Sequence, residues 1–402
     1  MKSKKIMILG ASILQLPAIQ QAKEMGLHVI AVDMNPDAIG FKESGIQCEV
    51  ISTIDIPAVL KCAKENAIDG IMTLASDMPM QTVALVAEEL GLVGVSKETA
   101  LKATNKAFMR DALQDCNVPI PLYHRVNDYH GFLEAVNDIV GRGYKCIVKP
   151  ADNSGSRGVD LLKSQIPENL QKAYDYSKTF SRTGELVVEE YMEGSEVSVE
   201  TLSINGICHV IQITDKITTG APYFVEMGHS QPSMLSEKIK EEIAEVAKAA
   251  NKALGIMDGP SHTEIKVTKD GPKIVELGAR LGGDNITTHL VPLSTGVNMV
   301  ECCIRIALGE VPDITAKYNK AAAIRYFKTS CGTVKNIIGI HDAELVPGVK
   351  QISIVHGIGE ELKEIKSSTD RAGFVISQAA SVDEAIRKCE VALKKIHVEM
   401  VM

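Results

Sequence analysis

The sequence lacks any apolar run long enough to cross a bilayer. Its apolar runs have the length of strands, whereas a membrane-spanning helix needs about 20 apolar residues. The basic start Met1–Lys5 leads into the run Ile6–Leu9, which ends at Gly10 and is too short for the core of a signal peptide. We therefore expect no membrane partner and no export.

Paired cysteines and basic clusters are missing as well. The nine cysteines are odd in number and include no CxxC pair, which indicates reduced thiols in a cytoplasmic protein. The net charge is −8 and no long run of Lys or Arg occurs, which argues against nucleic acid as the main partner. An anionic ligand would then have to be held by a few local groups.

What remains is an ordinary globular composition with 45% hydrophobic and 23% charged residues. A chain of 402 residues exceeds the usual size of one hydrophobic core, so two or three domains are expected. No internal repeat of solenoid length is visible. The fold class predicted for the whole chain is α/β and α+β, in several domains.

Residues 1–103 alternate strand-like runs with helical patterns. Strands are predicted at Ile6–Leu9, His28–Asp33 and Gly70–Leu74, with helices ending near Met25, Asn66 and Leu90. This order predicts parallel strands joined by crossover helices, as in a Rossmann-like domain. A dinucleotide is nevertheless a poor fit, because the turn after the first strand has one glycine, Gly10, where the fingerprint needs three.

The rest of the chain divides at about residue 320. Residues 104–145 look like a helical linker region that carries Pro119 and Pro121, and strand-like runs dominate from there to about 291. Residues 321–402 predict a small α+β domain without a motif of its own. Its elements are short strands at 321–327, 351–355 and 373–377 and a helix over 382–396.

The first chemical motif is CIVKPADNSGSRGV at 146–159. A strand ends at Lys149, and the small residues of the loop (Ser154, Gly155, Ser156 and Gly158) let backbone N–H groups approach phosphate oxygens. The alternative interpretation is a flexible hairpin loop.

The second motif is LVVEEYMEGSEVSVE at 186–200. A purine at this strand end could use the backbone carbonyl of Glu189 or Glu190 and the N–H of Met192, while Glu196 accepts the ribose hydroxyls. The alternative is a charged, solvated hairpin.

The third motif is SHTEIKVTKDGPKIVELGARLGGD at 261–284. Glu264 and Glu276 lie at similar distances from a hairpin turn at 269–272, so antiparallel pairing can bring their carboxylates to one face, and a cation is expected between them. Mg²⁺ prefers such oxygen ligands together with substrate phosphates, and Arg280 can meet charge on a phosphoryl or acyl oxygen. The alternatives are a pair neutralised by Lys266 or Lys273 and, for His262, a packed core histidine.

In this order, together with Lys106, these motifs resemble the ATP-grasp superfamily over nearly the whole chain. The sequence is most similar to the branch with biotin carboxylase, glycinamide ribonucleotide synthetase and the bacterial L-amino-acid ligases. The resemblance implies an ATP-grasp fold at 104–320, with Lys106 and Lys149 on ATP phosphates and Glu264 and Glu276 on Mg²⁺, for which Mn²⁺ could substitute.

One position departs from this resemblance. The family usually has Glu-x-Asn-x-Arg, whereas this sequence has Gly278 between Glu276 and Arg280. The amide ligand is missing, so a second metal ion would need water or another residue. A positive φ or a close approach would each explain a glycine here.

The binding site of the acceptor substrate is indicated by the stretch APYFVEMGHSQPS at 221–233. This stretch is similar to a run found in the amino-acid-ligase branch. The resemblance implies that Glu226 and His229 lie at the amino-acid pocket. Gly283 and Asp284, in the later Gly-Gly-Asp-Asn run, are also expected at the substrate. Glu226 suits an ammonium group and His229 a carboxylate or phosphate. The alternative is a surface loop with incidental charge.

These expectations predict an ATP-dependent carboxylate–amine ligase that works through an acyl phosphate and releases ADP and phosphate. Its partners would be small-molecule acids and amines, and a homodimer is compatible with them. An ATP-dependent carboxylase or a nucleotide-precursor ligase on the same fold stays open. So does, at greater distance, a non-catalytic nucleotide-binding or NAD-dependent protein.

Overall fold

The first part of the chain is a parallel sheet covered by helices on both faces. The structure, a computed structural model, describes residues 3–401. The elements of this part are β1 (Lys5–Leu9), α1 (Leu16–Glu24), β2 (His28–Asp33), β3 (Gln47–Val50), α2 (Ile56–Asn66), β4 (Gly70–Met72), α3 (Met80–Leu90) and α4 (Lys97–Thr104). The strand order is β3-β2-β1-β4, and all neighbouring pairs are parallel.

Two-sided burial explains the apolar strands of this sheet. Ile6 and Ile8 pack against α1, whereas Met7 and Leu9 pack against α2 and α3. A parallel strand that is covered on both faces is apolar throughout, as the sequence of β1 is. The strand β3 was missed in the sequence because its burial alternates at the sheet edge, so its composition is half polar.

A second, four-stranded sheet follows and is called the small sheet. Its part of the chain contains α5 (Lys106–Asp115), β5 (Tyr123–Val126), α6 (Tyr129–Gly141), β6 (Cys146–Pro150), β7 (Asp160–Leu162), α7 (Pro167–Thr179) and β8 (Leu186–Glu190). The order is β5-β8-β6-β7. The interpretation of residues 104–145 as a linker was wrong, because β5 pairs with β8 and α6 packs on this sheet through Phe132.

The remaining chain builds an eight-stranded sheet, called the large sheet. The elements are β9 (Ser195–Ile204), β10 (Ile207–Thr218), β11 (Glu226–Gln231), α8 (Glu237–Leu254), β12 (Gly259–Thr268), β13 (Gly271–Gly278), α9 (Val291–Thr295), α10 (Met299–Ala307), β14 (Ala321–Tyr326), β15 (Gly332–Ile338), α11 (Ile340–Glu344), β16 (Val349–Ile354), β17 (Glu361–Leu362), β18 (Gly373–Ala379), α12 (Val382–Lys395) and β19 (His397–Val401). The order of the large sheet is β13-β12-β9-β10-β11-β14-β18-β16, and β17-β15-β19 form a separate three-stranded sheet.

The large sheet runs across the expected boundary at residue 320. Strands β14, β18 and β16 continue it beyond β11 by antiparallel pairing, so the C-terminal residues share a sheet with the motif-bearing strands. Helix α8 covers the β9–β12–β13 end, and α12 packs on β14 and β18. The division of the chain into domains stays a prediction.

No single helix in residues 3–401 is long and apolar enough to cross a membrane. The segments Ile286–Thr295 and Met299–Ala307 meet the length and composition only when taken together, and they are bent by 113° at the break between them. Both segments contribute buried residues to the core around β1, including Leu290 and Ile304.

Candidate active site

A cavity of about 110 Å³, called the inner cavity, lies between the small sheet and the large sheet. Its walls come from the loop after β6, the end of β8 and the strands β10, β12 and β13. Most residues predicted for ATP binding line it, namely Lys106, Lys149, Ser154, Gly155, Ser156, Glu189, Glu190, Met192 and Glu196. The structure thus brings the first two motifs together with both carboxylates of the third.

Gly158 lies behind this wall and has a packing function. At φ +78°, a Cβ atom there would lie 2.6 Å from Pro150 Cγ and 2.7 Å from Phe180 Cβ. Glycine therefore lets the loop 151–159 fold closely onto the end of β6. Its predicted contact with ATP stays a prediction.

Lys149 is part of a buried charge group. Its Nζ donates to Glu189 Oε2 at 2.7 Å, and Arg110 Nε donates to Glu189 Oε1 at 2.7 Å. Burial alone would raise the pKa of Glu189, but the charges of Arg110 and Lys149 lower it to about 2. The three groups carry one net positive charge at the inner cavity. The carboxylate of Glu189 is occupied by this pairing, and its backbone lies in the sheet between Tyr123 and Ile147. Its predicted contact with the nucleotide stays a prediction.

Lys216 joins three acidic side chains on the opposite wall. Its Nζ lies 2.7 Å from Glu196, 3.0 Å from Glu264 and 3.5 Å from Glu226, and its side chain is 4% exposed. Burial would lower the pKa of Lys216, but the surrounding carboxylates raise it well above its usual value. Glu196, expected at a ribose, is also 3.1 Å from Lys266, so a ribose would have to share it with two lysines.

Glu264 and Glu276 are direct register partners on β12 and β13, because a bulge next to Ile265 shifts the pairing by one residue. The predicted antiparallel pairing of the two strands is confirmed. Each carboxylate also has a lysine partner: Lys216 for Glu264, and Lys106 Nζ, at 2.8 Å, for Glu276. Despite its burial, Glu264 has a pKa well below its usual range because of Lys216 and His262.

The chemistry of this pair fits Mg²⁺. Two carboxylates on neighbouring strands offer oxygen ligands of the kind that Mg²⁺ takes together with phosphate oxygens. No cluster of three or more His, Cys, Asp or Glu side chains in residues 3–401 could hold a metal ion alone. The site would therefore need ligand oxygens to complete the coordination.

Arg280 is held by Asp77, a residue of the loop after β4. Arg280 Nε donates to Asp77 Oδ1 at 2.8 Å and Nη2 donates to Oδ2 at 3.1 Å. Burial would raise the pKa of Asp77, but the guanidinium lowers it. Gly278 does not have a positive φ; a Cβ there would lie 2.9 Å from Asp77 Oδ1, so close approach explains the glycine.

A second cavity of about 210 Å³, called the polar cavity, holds all four residues predicted for the substrate. Glu226, His229, Gly283 and Asp284 line it together with Arg280. His229 Nε2 lies 3.3 Å from Asp284 Oδ2. Burial would raise the pKa of Asp284, but Arg371 and His229 hold it far below its usual range.

Arg371 reaches this cavity from the C-terminal part of the chain. It donates from Nη1 and Nη2 to Asp284 at 2.8 and 2.7 Å, and its guanidinium lies 3.8 Å from the ring centre of Tyr326. The expectation that residues 321–402 carry no motif missed this contact. His262, which was interpreted as a core histidine or a ligand, is buried and pairs with Glu200 at 2.5 Å.

Of the four residues at the site that were not predicted, only Asp77 had a signal in the sequence. Asp77 follows a parallel strand, at the sheet edge where ligands of open α/β sheets commonly bind. Arg110, Lys216 and Arg371 have no local motif, because each contacts the site through a partner distant in the chain.

Two family descriptions match separate parts of the chain. The ATP-grasp domain matches residues 142–288, and the L-amino acid ligase C-terminal domain 2 matches residues 325–401. The first match contains all three motifs but not Lys106, and the second match contains Arg371.

Relatives with known names agree with these matches. The L-arginine-specific L-amino acid ligase of Bacillus subtilis is 26% identical over 324 residues, which are 77% of this chain and 75% of the relative. A phosphoribosylamine–glycine ligase of Methanocaldococcus jannaschii is 25% identical over 410 residues, covering 95% of this chain and 91% of the relative.

Solved structures share the whole fold. The L-amino acid ligase from Bacillus licheniformis superposes with a TM-score of 0.85 at 23% identity, with full coverage of both chains. The biotin carboxylase domain dimer of Hydrogenobacter thermophilus 2-oxoglutarate carboxylase, a complex with MgADP and bicarbonate, gives a TM-score of 0.78 at 18% identity and covers 99% of this chain and 91% of that one. The chain therefore contains an ATP-grasp domain and an L-amino acid ligase C-terminal domain 2, and the relatives named above are ligases.

Proposed function

We propose that the protein is an ATP-dependent carboxylate–amine ligase that forms an amide bond on an amino acid through an acyl phosphate. The observation that carries the proposal is the overlap of the two cavities: Glu264 and Glu276 line both, as do Ser154 and Lys216. A phosphate chain in the inner cavity and a carboxylate in the polar cavity would therefore meet at the two paired carboxylates.

The nucleotide is assigned to the inner cavity. Lys149 and Lys106 offset charge on the phosphates, and the loop with Ser154, Gly155 and Ser156 supplies backbone donors to their oxygens. The purine lies against the end of β8, where it would contact the N–H of Met192 and the carbonyl of Glu190, and Glu196 accepts the ribose hydroxyls. Gly158 keeps the loop in place.

Mg²⁺, or Mn²⁺ in its place, would be held by Glu264 and Glu276 and would neutralise charge between phosphates and carboxylate. In the reaction, an oxygen of the substrate carboxylate attacks the γ-phosphorus of ATP, and ADP leaves. An amine nitrogen then attacks the acyl carbon, loses a proton, and phosphate leaves. Arg280, beside Glu276, stabilises the acyl oxygens in both steps.

An amino acid is the favoured acid because the polar cavity carries acidic groups for its ammonium. Glu226 and Asp284 line this cavity, and His229 and Gly283 lie beside them. Both relatives named above act on amino acids by name, and Arg371, from the part that matches the L-amino acid ligase domain, fixes Asp284. The product would be a dipeptide or a related amide.

Two other functions, a carboxylase and an NAD-dependent protein, have weaker support. Carboxylases share the fold, but at 18% identity the similarity speaks for the fold alone. A dinucleotide at the first sheet conflicts with Gln15, whose Cδ would lie 2.7 Å from a Cβ at Gly10 and whose Nε2 donates to Leu74 O. The side chain fills the turn in which a pyrophosphate would lie.

The wider organisation is also part of the proposal. We assign residues 1–103 to a Rossmann-like domain, residues 104–320 to the ATP-grasp fold and residues 321–402 to a small α+β domain. A homodimer is proposed by analogy with the carboxylase domain dimer. The nine free cysteines support a reducing, cytoplasmic location.

The test is a screen of amino-acid pairs for ADP release from Mg-ATP, with product analysis. We expect ADP and phosphate in equal amounts with an amide product, only when both amino acids are present. Bicarbonate-dependent ADP release would favour the carboxylase, and phosphoribosylamine with glycine would favour the nucleotide-precursor ligase. AMP and pyrophosphate as the products would refute the acyl-phosphate route.

A further inference from the structure

His262 and Glu200 form a buried pair beside the carboxylates assigned to Mg²⁺. His262 Nδ1 lies 2.5 Å from Glu200 Oε1, and Glu200 is fully buried. No lysine or arginine in residues 3–401 lies within ion-pair distance of Glu200, so His262 is its charge partner. The reaction proposed above does not use this pair.

The register of the large sheet brings the pair to the metal site. His262 on β12 pairs with Glu200 on β9. Glu264, two residues further along β12, lies on the same face of the strand as His262. His262 Nε2 lies 3.6 Å from Glu264 Oε1. The imidazole therefore stands between two carboxylates, with Glu200 at Nδ1 and Glu264 at Nε2.

A glycine leaves the space that this pair needs. A Cβ at Gly282 would lie 2.6 Å from His262 Nδ1 and 2.9 Å from both carboxylate oxygens of Glu200. Gly282 does not have a positive φ, so close approach rather than backbone conformation explains the glycine. Any larger residue at 282 would push His262 and Glu200 away from their present positions.

The hydrogen-bonding groups on each side of the imidazole fix its direction. A carboxylate oxygen can only accept, so a ring nitrogen that faces a carboxylate carries the hydrogen. His262 therefore donates from Nδ1 to Glu200 and directs its Nε2–H toward Glu264. The other charged side chains that line the polar cavity with His262 have partners of their own: Asp77 with Arg280, Glu226 with Lys216, Glu276 with Lys106, and Asp284 with Arg371.

The contacts of Glu264 fall on one of its two oxygens. Lys216 Nζ donates to Glu264 Oε1 at 3.0 Å, and His262 Nε2 faces the same oxygen. Glu264 Oε2 accepts no hydrogen bond from the described part of the chain. Because Mg²⁺ demands nearly ideal octahedral geometry at short distances, a carboxylate that is held in one orientation suits it.

We propose that Glu200 and His262 are positioning residues of the metal site, which hold Glu264 by Oε1 and thereby present Oε2 to Mg²⁺. Hydrogen-bond partners behind a metal ligand typically change metal affinity by about 10- to 100-fold when they are replaced. The inference rests on the assignment of Mg²⁺ to Glu264 and Glu276 in the proposed function. Neither Glu200 nor His262 is among the described residues that line the inner cavity, so the pair acts on the metal ion and not on the nucleotide.

The test is a titration of the full chain with Mn²⁺, followed by the electron paramagnetic resonance signal of the free ion, with ADP below the protein concentration. The double variant Glu200→Gln/His262→Asn removes the contact with Glu264 and leaves no buried charge unpaired. We expect it to bind Mn²⁺ about tenfold or more weakly than the wild type. Glu200→Gln alone should weaken Mn²⁺ about fivefold, since His262 loses a charged hydrogen-bond partner.

Two measurements separate positioning from a general loss of structure. The affinity for ADP without metal, measured by calorimetry, should stay at the wild-type value in both variants. Asp138→Asn is the matched control: it removes the carboxylate that lies 2.9 Å from His124, and neither residue lines the inner or the polar cavity. It should change neither affinity, and thermal melting checks the folding of each variant.

Wild-type Mn²⁺ affinity in either variant overturns the inference, as does a loss of metal-free ADP affinity equal to the loss of Mn²⁺ affinity. Absence of Mn²⁺ binding by the wild-type ADP complex would overturn the metal site and the inference together. Absence of amino-acid-dependent ADP release, with Mn²⁺ bound as expected, would refute only the proposed function, so the two failures can be told apart.

Discussion

Asp77 and Arg280 form a two-point ion pair that links the loop after β4 to the end of the β13 segment. The two donor–acceptor distances are 2.8 and 3.1 Å, and the side chains are 16% and 15% exposed. The pair passes directly beside Gly278, where a Cβ would lie 2.9 Å from Asp77 Oδ1. The first sheet thus orients the arginine of the candidate active site, and glycine at 278 leaves room for this contact.

Asp77→Asn should lower ligase turnover about tenfold or more, since a hydrogen-bonded charge partner of Arg280 is lost. The KM for ATP should stay near the wild-type value, because Asp77 does not line the inner cavity described above. Steady-state ADP release measures both quantities. Asp111→Asn, which breaks the pair with Arg125, is the control and should change neither, because neither residue lines the inner or the polar cavity. Equal loss in both variants would contradict a positioning function for Asp77.

Gly278→Asn should reduce turnover, because its side chain would collide with the Asp77–Arg280 pair. In the double variant Asp77→Gly/Gly278→Asn, the smaller residue at 77 leaves room for the asparagine, whose amide then lies beside Glu276. We therefore expect the double variant to be more active than either single variant. Activity against free Mg²⁺ measures the effect. If the double variant is no more active than the less active single variant, the side chains at 77 and 278 do not compete for the same space.

The hairpin of β12 and β13 could be predicted from the sequence, since Glu264 and Glu276 lie at similar distances from a Gly-containing turn. The bulge that shifts the register by one residue and makes these two glutamates direct partners could not be predicted. Lys216 could not be predicted as the common counterion of Glu196, Glu226 and Glu264. It lies on β10, and only the order of the strands in the large sheet places it between β9 and β11 and within reach of Glu264 on β12. The position of a strand in a sheet is set by packing, which leaves no local mark in the sequence.

The contact that residues 321–402 make with the polar cavity could not be predicted for a similar reason. The strands near 321, 351 and 373 were visible as apolar runs, but their joining to the large sheet was not. Arg371 precedes β18 and reaches Asp284 because β18 lies beside β14. Lys149 was expected as a positive charge at the strand end, and the structure pairs it with the carboxylate of Glu189, a contact that the sequence did not indicate.

Lys149→Ala should weaken ATP binding about tenfold or more, since a buried positive charge at the inner cavity is lost while the backbone donors of the loop remain. Glu189 keeps Arg110 as its partner, so the variant should still fold. Calorimetry with Mg-ATP and thermal melting measure the two effects. Lys145→Ala, which removes an exposed lysine just before the same strand, is the control. Wild-type ATP affinity in Lys149→Ala would remove Lys149 from the phosphate site.

Glu276→Ala should nearly abolish turnover, because one of the two paired carboxylates is lost and Lys106 loses its partner. Glu276→Gln keeps the shape and should need a higher concentration of free Mg²⁺ for half-maximal activity, by about tenfold. Activity against free Mg²⁺ is the measurement, with the exposed Glu361→Ala as control. An unchanged Mg²⁺ requirement in both variants would exclude Glu276 from the metal site.

The buried pair of Glu189 with Arg110 and Lys149 should give a defined dependence of stability on pH. Burial raises the pKa of Glu189, but the two cations outweigh it and lower the pKa from 4.5 to about 2. A depressed carboxyl pKa stabilises the folded state fully above the unfolded value of 4.5, and this contribution is lost as the pH falls toward about 2. It amounts to at most about 3 kcal/mol.

Glu189→Gln removes this titration. We therefore expect the wild type to exceed Glu189→Gln in unfolding free energy most at pH 7, and the difference to shrink between pH 4.5 and pH 3. Urea unfolding at several pH values measures it, and the exposed Glu193→Gln should show almost no difference at any pH, because a surface ion pair contributes little. A difference for Glu189→Gln that stays constant with pH would mean that Glu189 is not held ionised by Arg110 and Lys149.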